Sequence, residues 1–262
     1  MNLPLQALIL GAYRMVLRTG ILETSLGYGA FERCYDVYKA SLEAASLRHI
    51  RPFVPPGATV VDVGAHVGFF TQTFARWAGE RGRVIALEPE PINYGRLCNR
   101  LARTGLAPRV TAFNVAAVEA SGSYFLRLNP DHPGDHQLAG AGLPVRGLSL
   151  DEVLAGCGWP PVALVKVDVQ GAEARVLAGA AETLARFHPA LIVEIDDERL
   201  RRQGSSAEAL LALLAEHDYA PRHLTRAGIS QVLASPDALD RAGRDGRYSD
   251  FLFFGGNPSR PL

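Results

Sequence analysis

Cysteine is scarce in this chain and badly placed for bridging. The three residues, Cys34, Cys98 and Cys157, are odd in number and far apart. They form neither a CxxC pair nor a disulfide framework, so a reducing compartment, the cytoplasm, is expected. Net charge is missing too: 27 Lys and Arg balance 27 Asp and Glu, which argues against nucleic acid or an anionic membrane as partner. Nor is there an apolar run of the ~20 residues that a spanning helix requires. The segment from Leu3 to Leu10 comes nearest, and Arg14 and Arg18 interrupt it. It lacks a basic n-region and a small-residue cleavage site, so no signal peptide is expected and an amphipathic helix packed on the domain is.

What is present suits one α/β domain of ordinary composition. Residues 51–262 are expected to form it, with 1–50 as a helical extension lying over the mouth of the site. From Val60 onward short β-branched runs alternate with helical patterns, which implies crossover connections and a mostly parallel sheet with helices on both faces. The strands read as ATVVDVG, RVIALEP, a run from Arg109, VALVKVDV, ALIVEI, YAPRHLT and SDFLFFGG. Helices are expected over 68–78, 93–104, 172–186 and 206–217. Ser149 and Glu152 have the spacing of a capping box for a further short helix. Residues 129–144, rich in Gly and Pro, read as a surface loop.

The sharpest motif is VVDVGAHVGFF, from Val60 to Phe70. A buried strand ends at Asp62, the chain turns at Gly64, and a helix opens near Gly68. Gly64 would let backbone approach a ligand, and Gly68 would allow close helix–strand packing. A dinucleotide fingerprint carries a glycine between these two, where this chain has His66. A pyrophosphate is therefore disfavoured, whereas a ligand without phosphates is not. The second strand ends in Glu88, placed to accept ribose hydroxyls, before Pro89 stops it. Asn114 and Ala116, after the third strand, would lie at the adenine edge.

Five segments in consistent order carry a more specific signal: VVDVGAHVGFF, ALEPEPINYGRLCNRLA, GLSLDEV, VKVDVQGAEARVLAGA and HPALIVEI. Together, over about Pro55 to Ile195, they resemble the FkbM family of methyltransferases. The resemblance implies a class I, Rossmann-like fold with a seven-stranded, mostly parallel sheet, and the late terminal strand agrees. It further implies S-adenosylmethionine as methyl donor and a hydroxyl of a small molecule, sugar or other glycan, or secondary metabolite as acceptor. On it, Asp62, Gly64, Ala65, His66, Gly68, Glu88, Pro89, Asn114, Ala116 and Asp168 are expected to bind the donor. Two positions depart from the family pattern. His66 stands where asparagine is usual, and Gln170 where an acidic residue often follows the strand-four aspartate.

Methyl transfer requires an acceptor aligned with the S–CH₃ bond and a place for the hydroxyl proton. Groups at the carboxyl ends of the strands are the candidates: Asp168, Glu173 and Glu194, with His136 from the loop as a base of suitable unperturbed pKa. His132 is the weaker loop candidate. Lys166 shares a sheet face with Asp168 by the two-residue period and is expected to pair with a carboxylate. Strand-end carboxylates also leave room for a magnesium ion, although they are common without one, and no metal ligand set is assigned. Arg96, Arg100 and Arg103 are expected to line a solvated helix face. The competing readings are a nicotinamide-dependent oxidoreductase and a catalytically idle cofactor-binding module.

Overall fold

The computed structural model describes residues 46–129, 134–234, 237–239 and 249–254. The amphipathic N-terminal run and His132 lie outside the described residues, and of the expected extension only the helical residues 46–50 are described. Among the described residues no helix is long and apolar enough to cross a membrane.

The first half of the main sheet follows the expected alternation. Strand β1 (Thr59–Val63) leads to helix α1 (Phe69–Ala78), then to β2 (Arg83–Leu87), α2 (Pro91–Arg103) and β3 (Val110–Phe113). These strands pair in parallel, β1 to β2 and β2 to β3. The chain then leaves the sheet and returns on the other side of β1 as β8 (Val162–Val167), which pairs parallel with β1 and with β9 (Ala190–Ile195). Strand order therefore reverses at β1. In such sheets the crevice at the carboxyl ends of the two diverging strands is where ligands bind.

The far side is closed by antiparallel strands. β12 (Ser249–Phe253) lies against β9, followed by β10 (Pro221–Leu224) and β11 (Ile229–Val232), giving the order β11-β10-β12-β9-β8-β1-β2-β3. The edge strand β11 is an eighth, beyond the seven read from the sequence. It follows a tight turn in which the Thr225 N–H donates to the Gly228 carbonyl at 2.9 Å. Its four residues, ISQV, are too short and too mixed to show a period.

Side-chain alternation divides the apolar residues between two faces. Val60, Val84, Leu164, Ile192 and Leu252 pack against Phe74 of α1 and Leu97 of α2. Val61, Ile85, Val165, Val167 and Val193 face the opposite layer. That layer is built from α3 (Leu150–Gly156), α4 (Glu173–Ala178), α5 (Ala181–Phe187), α6 (Asp197–Arg202) and α7 (Ala207–Ala215). The capping box is formed: the Ser149 Oγ accepts the Glu152 N–H at 3.1 Å and Glu152 accepts the Ser149 N–H at 2.9 Å.

Three local expectations change. The single helix over 172–186 is two, because Asp151 accepts the N–H groups of Glu182 and Thr183 (2.9 and 2.8 Å) and starts α5 afresh. The third strand stops at Phe113. Ala116–Ala117 forms β4 of a second sheet, with β5 (Gly122–Arg127), β6 (Gln137–Ala139) and β7 (Leu143–Leu148) in the order β4-β7-β5-β6. β6 and the start of β7 come from the segment read as a loop. Leu138 pairs with Leu126, and both bury with Val145 in a small separate core. A three-residue strand stabilised by its partner carries no periodic signal of its own.

Candidate active site

The glycine loop is shaped by the strand beside it. Gly64 has φ +81°, and a Cβ there would stand 1.9 Å from the Asp168 carbonyl oxygen. The glycine is thus demanded by the close approach of the β1 and β8 ends, a contact the sequence does not display. The Gly64 and Ala65 N–H groups both donate to the Leu87 carbonyl at 3.0 Å. Gly68 precedes α1, and a Cβ on it would meet Leu97 of α2 at 2.5 Å, so the close packing is with a helix rather than a strand. Arg100 corrects the expectation of a solvated arginine stripe. It is 5% exposed, and its guanidinium donates to the Val67 carbonyl at 3.3 Å, tying α2 to the loop.

Glu88 stands just beyond β2, buried, with both carboxylate oxygens held. The His66 N–H donates to Oε2 at 2.8 Å and the Glu90 N–H to Oε1 at 3.0 Å. Burial nonetheless pushes its pKa up to about 7. Each carboxylate oxygen accepts more than one hydrogen bond, so the group retains capacity for further donors. Asn114 spends its amide on the protein, donating to the Glu88 and Pro89 carbonyls at 2.9 and 3.0 Å. It latches the β3 end to the β2 end. Ala116 is buried in the core of the second sheet with Val118, Leu126 and Ala172, and so is not brought beside Glu88 as an exposed ring platform.

Asp62 lies wholly inside the sheet face that carries α1 and α2. Thr71 Oγ1 donates to its Oδ2 at 2.6 Å, while Oδ1 has no hydrogen-bond partner. Burial raises its pKa and the Lys166 charge opposes the rise. The register sets Asp62 opposite Lys166.

Two residues further along, three carboxylates line up at the ends of adjacent strands. Lys166 pairs with Ile192 and Val167 with Val193, so Asp168 follows beside Glu194, which in turn pairs with Asp250 of β12. Lys166 Nζ lies 3.0 Å from Asp168 Oδ2 and 4.5 Å from the centre of the Phe70 ring. The expected salt bridge is formed. Lys166, Asp168, Glu194, Asp250 and Phe70 line one cleft, which Ser46, Leu47 and Ile50 border. Burial and the Asp168, Asp250 and Glu173 carboxylates push Glu194 well above the usual carboxylate range, with Lys166 acting the other way. Asp250 was missed from sequence. It sits inside the apolar run SDFLFF, and only the antiparallel return of β12 brings it to Glu194.

Glu173 is turned inward. Its Oε1 accepts the Gly171 and Val169 N–H groups (3.0 and 3.3 Å), and burial pushes its pKa up to about 7. It braces the turn after β8 instead of facing the cleft from an exposed rim. His136 lies on a loop that Arg199 anchors by pairing with Asp135 at 3.2 Å. His136 Nδ1 accepts the Asn129 N–H at 3.1 Å. A neutral ring in that arrangement carries its proton on Nε2.

Comparison with known proteins now bears on this geometry. The family model described as the methyltransferase FkbM domain matches residues 62–221. The chain belongs to the FkbM methyltransferase family. The match runs from Asp62 through both parallel strand ends, and it decides against the nicotinamide-dependent alternative. A curated relative, the AMB antimetabolite synthetase AmbE of Pseudomonas aeruginosa, is 28% identical over 207 residues, 63% of this chain and 10% of that protein. The chain thus spans about a tenth of the length of that relative. An FkbM methyltransferase structure from Methylobacillus flagellatus matches at 20% identity and TM-score 0.47, covering 75% of this chain and 43% of the other. An O-methyltransferase of Thermotoga maritima matches at 13% identity and TM-score 0.44, covering 83% and 67%.

The architecture of this FkbM-family chain is that of the class I S-adenosylmethionine-dependent methyltransferases, and its residues suit that donor. Glu88 is a buried carboxylate with acceptor capacity left, the chemistry that ribose hydroxyls complement. The unpartnered Asp62 Oδ1 is a second buried acceptor nearer the β1–β8 crevice. Magnesium gains no such support. Among the described residues no group of three His, Cys, Asp or Glu side chains is arranged to hold a metal. The Asp168 oxygens accept from Lys166 and Gln170 (3.0 and 2.8 Å).

Proposed function

We propose that this chain transfers a methyl group from S-adenosylmethionine to a hydroxyl of a small molecule, sugar or secondary metabolite. The observation that carries the reading is the carboxylate row at the β8, β9 and β12 ends, set beside Lys166 and separated from Glu88 by the width of β1. Donor-binding and proton-accepting groups thereby occupy opposite sides of the switch point. The name of the AmbE relative, an antimetabolite synthetase, supports a secondary-metabolite acceptor. Cys98 and Cys157 are unbridged, which supports a reducing, cytoplasmic setting.

The sulfonium of the donor supplies an already activated methyl. The protein's part is alignment and proton handling. Glu88, pinned by two backbone N–H groups, accepts the ribose hydroxyls, and the Gly64–His66 turn forms the floor beneath. Lys166 and Gln170 hold Asp168 from two sides, so its carboxylate orients the acceptor without swinging. Glu194, whose proton affinity is raised by burial and by its acidic neighbours, would take the acceptor proton as the C–O bond forms and the S–CH₃ bond breaks, its electron pair leaving on the now neutral thioether sulfur. Glu173 supports the turn that carries Gln170.

The direct test is incubation with S-adenosylmethionine and a panel of glycans and hydroxylated metabolites, with mass spectrometry of the products. A methylated hydroxyl is expected. Tight donor binding with no product from any acceptor class would favour the idle module.

Glu88 makes a separate prediction. Ribose hydroxyls bind its ionised form, and burial keeps it protonated below about pH 7. Donor affinity should therefore rise as pH increases from about 6 to 8, by roughly tenfold if each unit of protonation is opposed in full. Glu88→Gln should flatten that slope and weaken binding at pH 8. Calorimetric titration across this range checks it, and an unchanged slope in the variant would remove Glu88 from the donor site.

A further inference from the structure

Gln170 is the residue at which this chain departs from its family's acidic pattern, and the methyl-transfer scheme uses only its hold on Asp168. Its side chain has a defined place. Nε2 donates to Asp168 Oδ1 at 2.8 Å and reaches Glu194 Oε1 at 3.4 Å. One amide therefore spans two carboxylates that stand side by side on adjacent strands.

The backbone beneath it is clamped. Gln170 has φ +58°, in the left-handed region. Glu173 holds the N–H groups on both sides, those of Val169 and Gly171. The α-carbon of Gly171 is pressed against Arg199, whose carbonyl oxygen would lie 2.7 Å from a Cβ placed there. A non-glycine residue in this conformation persists only where its surroundings over-determine it. Here the surroundings deliver the amide to the gap between Asp168 and Glu194.

We propose that Gln170 is the positioning residue of the carboxylate row, its amide bridging Asp168 and Glu194. The inference deepens the methyl-transfer reading and rests on it for its consequence in turnover. Neighbouring carboxylates repel when both are ionised, and a hydrogen-bond donor between them favours the ionised forms. An acidic residue at position 170 would do the reverse, adding a third negative charge to the gap. The amide thus keeps Glu194 available to accept a proton while Asp168 stays fixed by Lys166. The charged and titratable groups that face Glu194 from the surrounding elements are Lys166 on β8, Asp168 just after it, Asp250 on β12 and Glu173 on α4.

The test compares the wild-type chain with Gln170→Leu, which keeps bulk and loses the donor, and Gln170→Glu, which replaces the donor with a charge. Carboxyl ¹³C NMR titration reads the Asp168–Glu194 pair, and calorimetry reads S-adenosylmethionine affinity. The upper apparent pKa of the pair should rise by about half a unit or more in Gln170→Leu and by about one unit or more in Gln170→Glu. Donor affinity should stay within about twofold of wild type in Gln170→Leu, a span of ~0.4 kcal/mol. A Leu variant that titrates like wild type overturns the proposal, as does one that loses donor binding. Circular dichroism confirms that each variant is folded. Should Gln170→Leu fail to fold, the titration of Gln170→Glu decides, an unshifted pair again overturning the proposal. If wild type itself does not bind S-adenosylmethionine, the methyl-transfer reading fails, while the titration still decides what the amide does.

Discussion

Gly64→Ala is expected to destabilise the protein by about 3–4 kcal/mol, from a left-handed penalty of ~1–2 and a steric one of ~1–3. The left-handed φ of +81° disfavours any Cβ, and the Asp168 carbonyl stands 1.9 Å from where that Cβ would sit. Asp168 cannot retreat without cost, because its N–H donates to the Val63 carbonyl at 3.1 Å and its carboxylate to the cleft is held by Lys166. A control separates the two terms. Gly57 has a similar φ of +88° with nothing within 4 Å of a Cβ, so Gly57→Ala carries the conformational penalty alone. Denaturant melts of both variants should differ by the steric part, about 2 kcal/mol. Equal losses would mean that the β8 end yields to the new methyl. Donor affinity should fall in Gly64→Ala as well, since displacing the turn moves the His66 N–H off Glu88.

Lys166→Met should have the second large effect, and its size should depend on pH. The ammonium is almost wholly buried among Asp62, Asp168 and Glu194, and its charge lowers the pKa of both Asp62 and Glu194. Removing one partner from a buried pair costs about 3–5 kcal/mol because the other charge is left uncompensated. Asp62 and Glu194 already have folded-state pKa values raised above their ordinary ones. Groups of that kind contribute stability that is fully present below the unfolded-state pKa and is lost as pH rises through the folded-state pKa. Without Lys166 the folded values rise further, so the protein loses more on going from acid to neutral pH. Urea unfolding at about pH 5 and pH 8 should show the gap between wild type and Lys166→Met widening at the higher pH. A gap of the same size at both would show that Lys166 acts by packing on Phe70 and not by charge. Methyl transfer should be lost in this variant at neutral pH, because Asp168 loses the group that orients it.

Much of this was legible in the chain because some signals are local. β-branched runs set the parallel strands, breakers set their ends, and the Ser149–Glu152 spacing set a capping box that forms as expected. The glycine loop, Glu88 and the Lys166–Asp168 pair were readable for the same reason: each depends on a strand end and on the two-residue period. Other assignments failed where a distant segment decided the outcome. Arg100 has helical spacing with Arg96 and Arg103, yet it turns into the protein to hold Val67. The segment around Gln137–Ala139 lacks any period, yet pairing with β5 makes it a strand.

Sequence by itself carried the resemblance to the family, through motif order, and the α/β alternation, through periodicity. Both are properties of neighbouring residues. Tertiary structure alone decided that Gly64 answers to the Asp168 carbonyl, that Glu173 faces inward, and that Asp250 joins Asp168 and Glu194 in one row. Strand order and register make those contacts between residues as far apart as 168 and 250, and burial then sets how each carboxylate holds its proton.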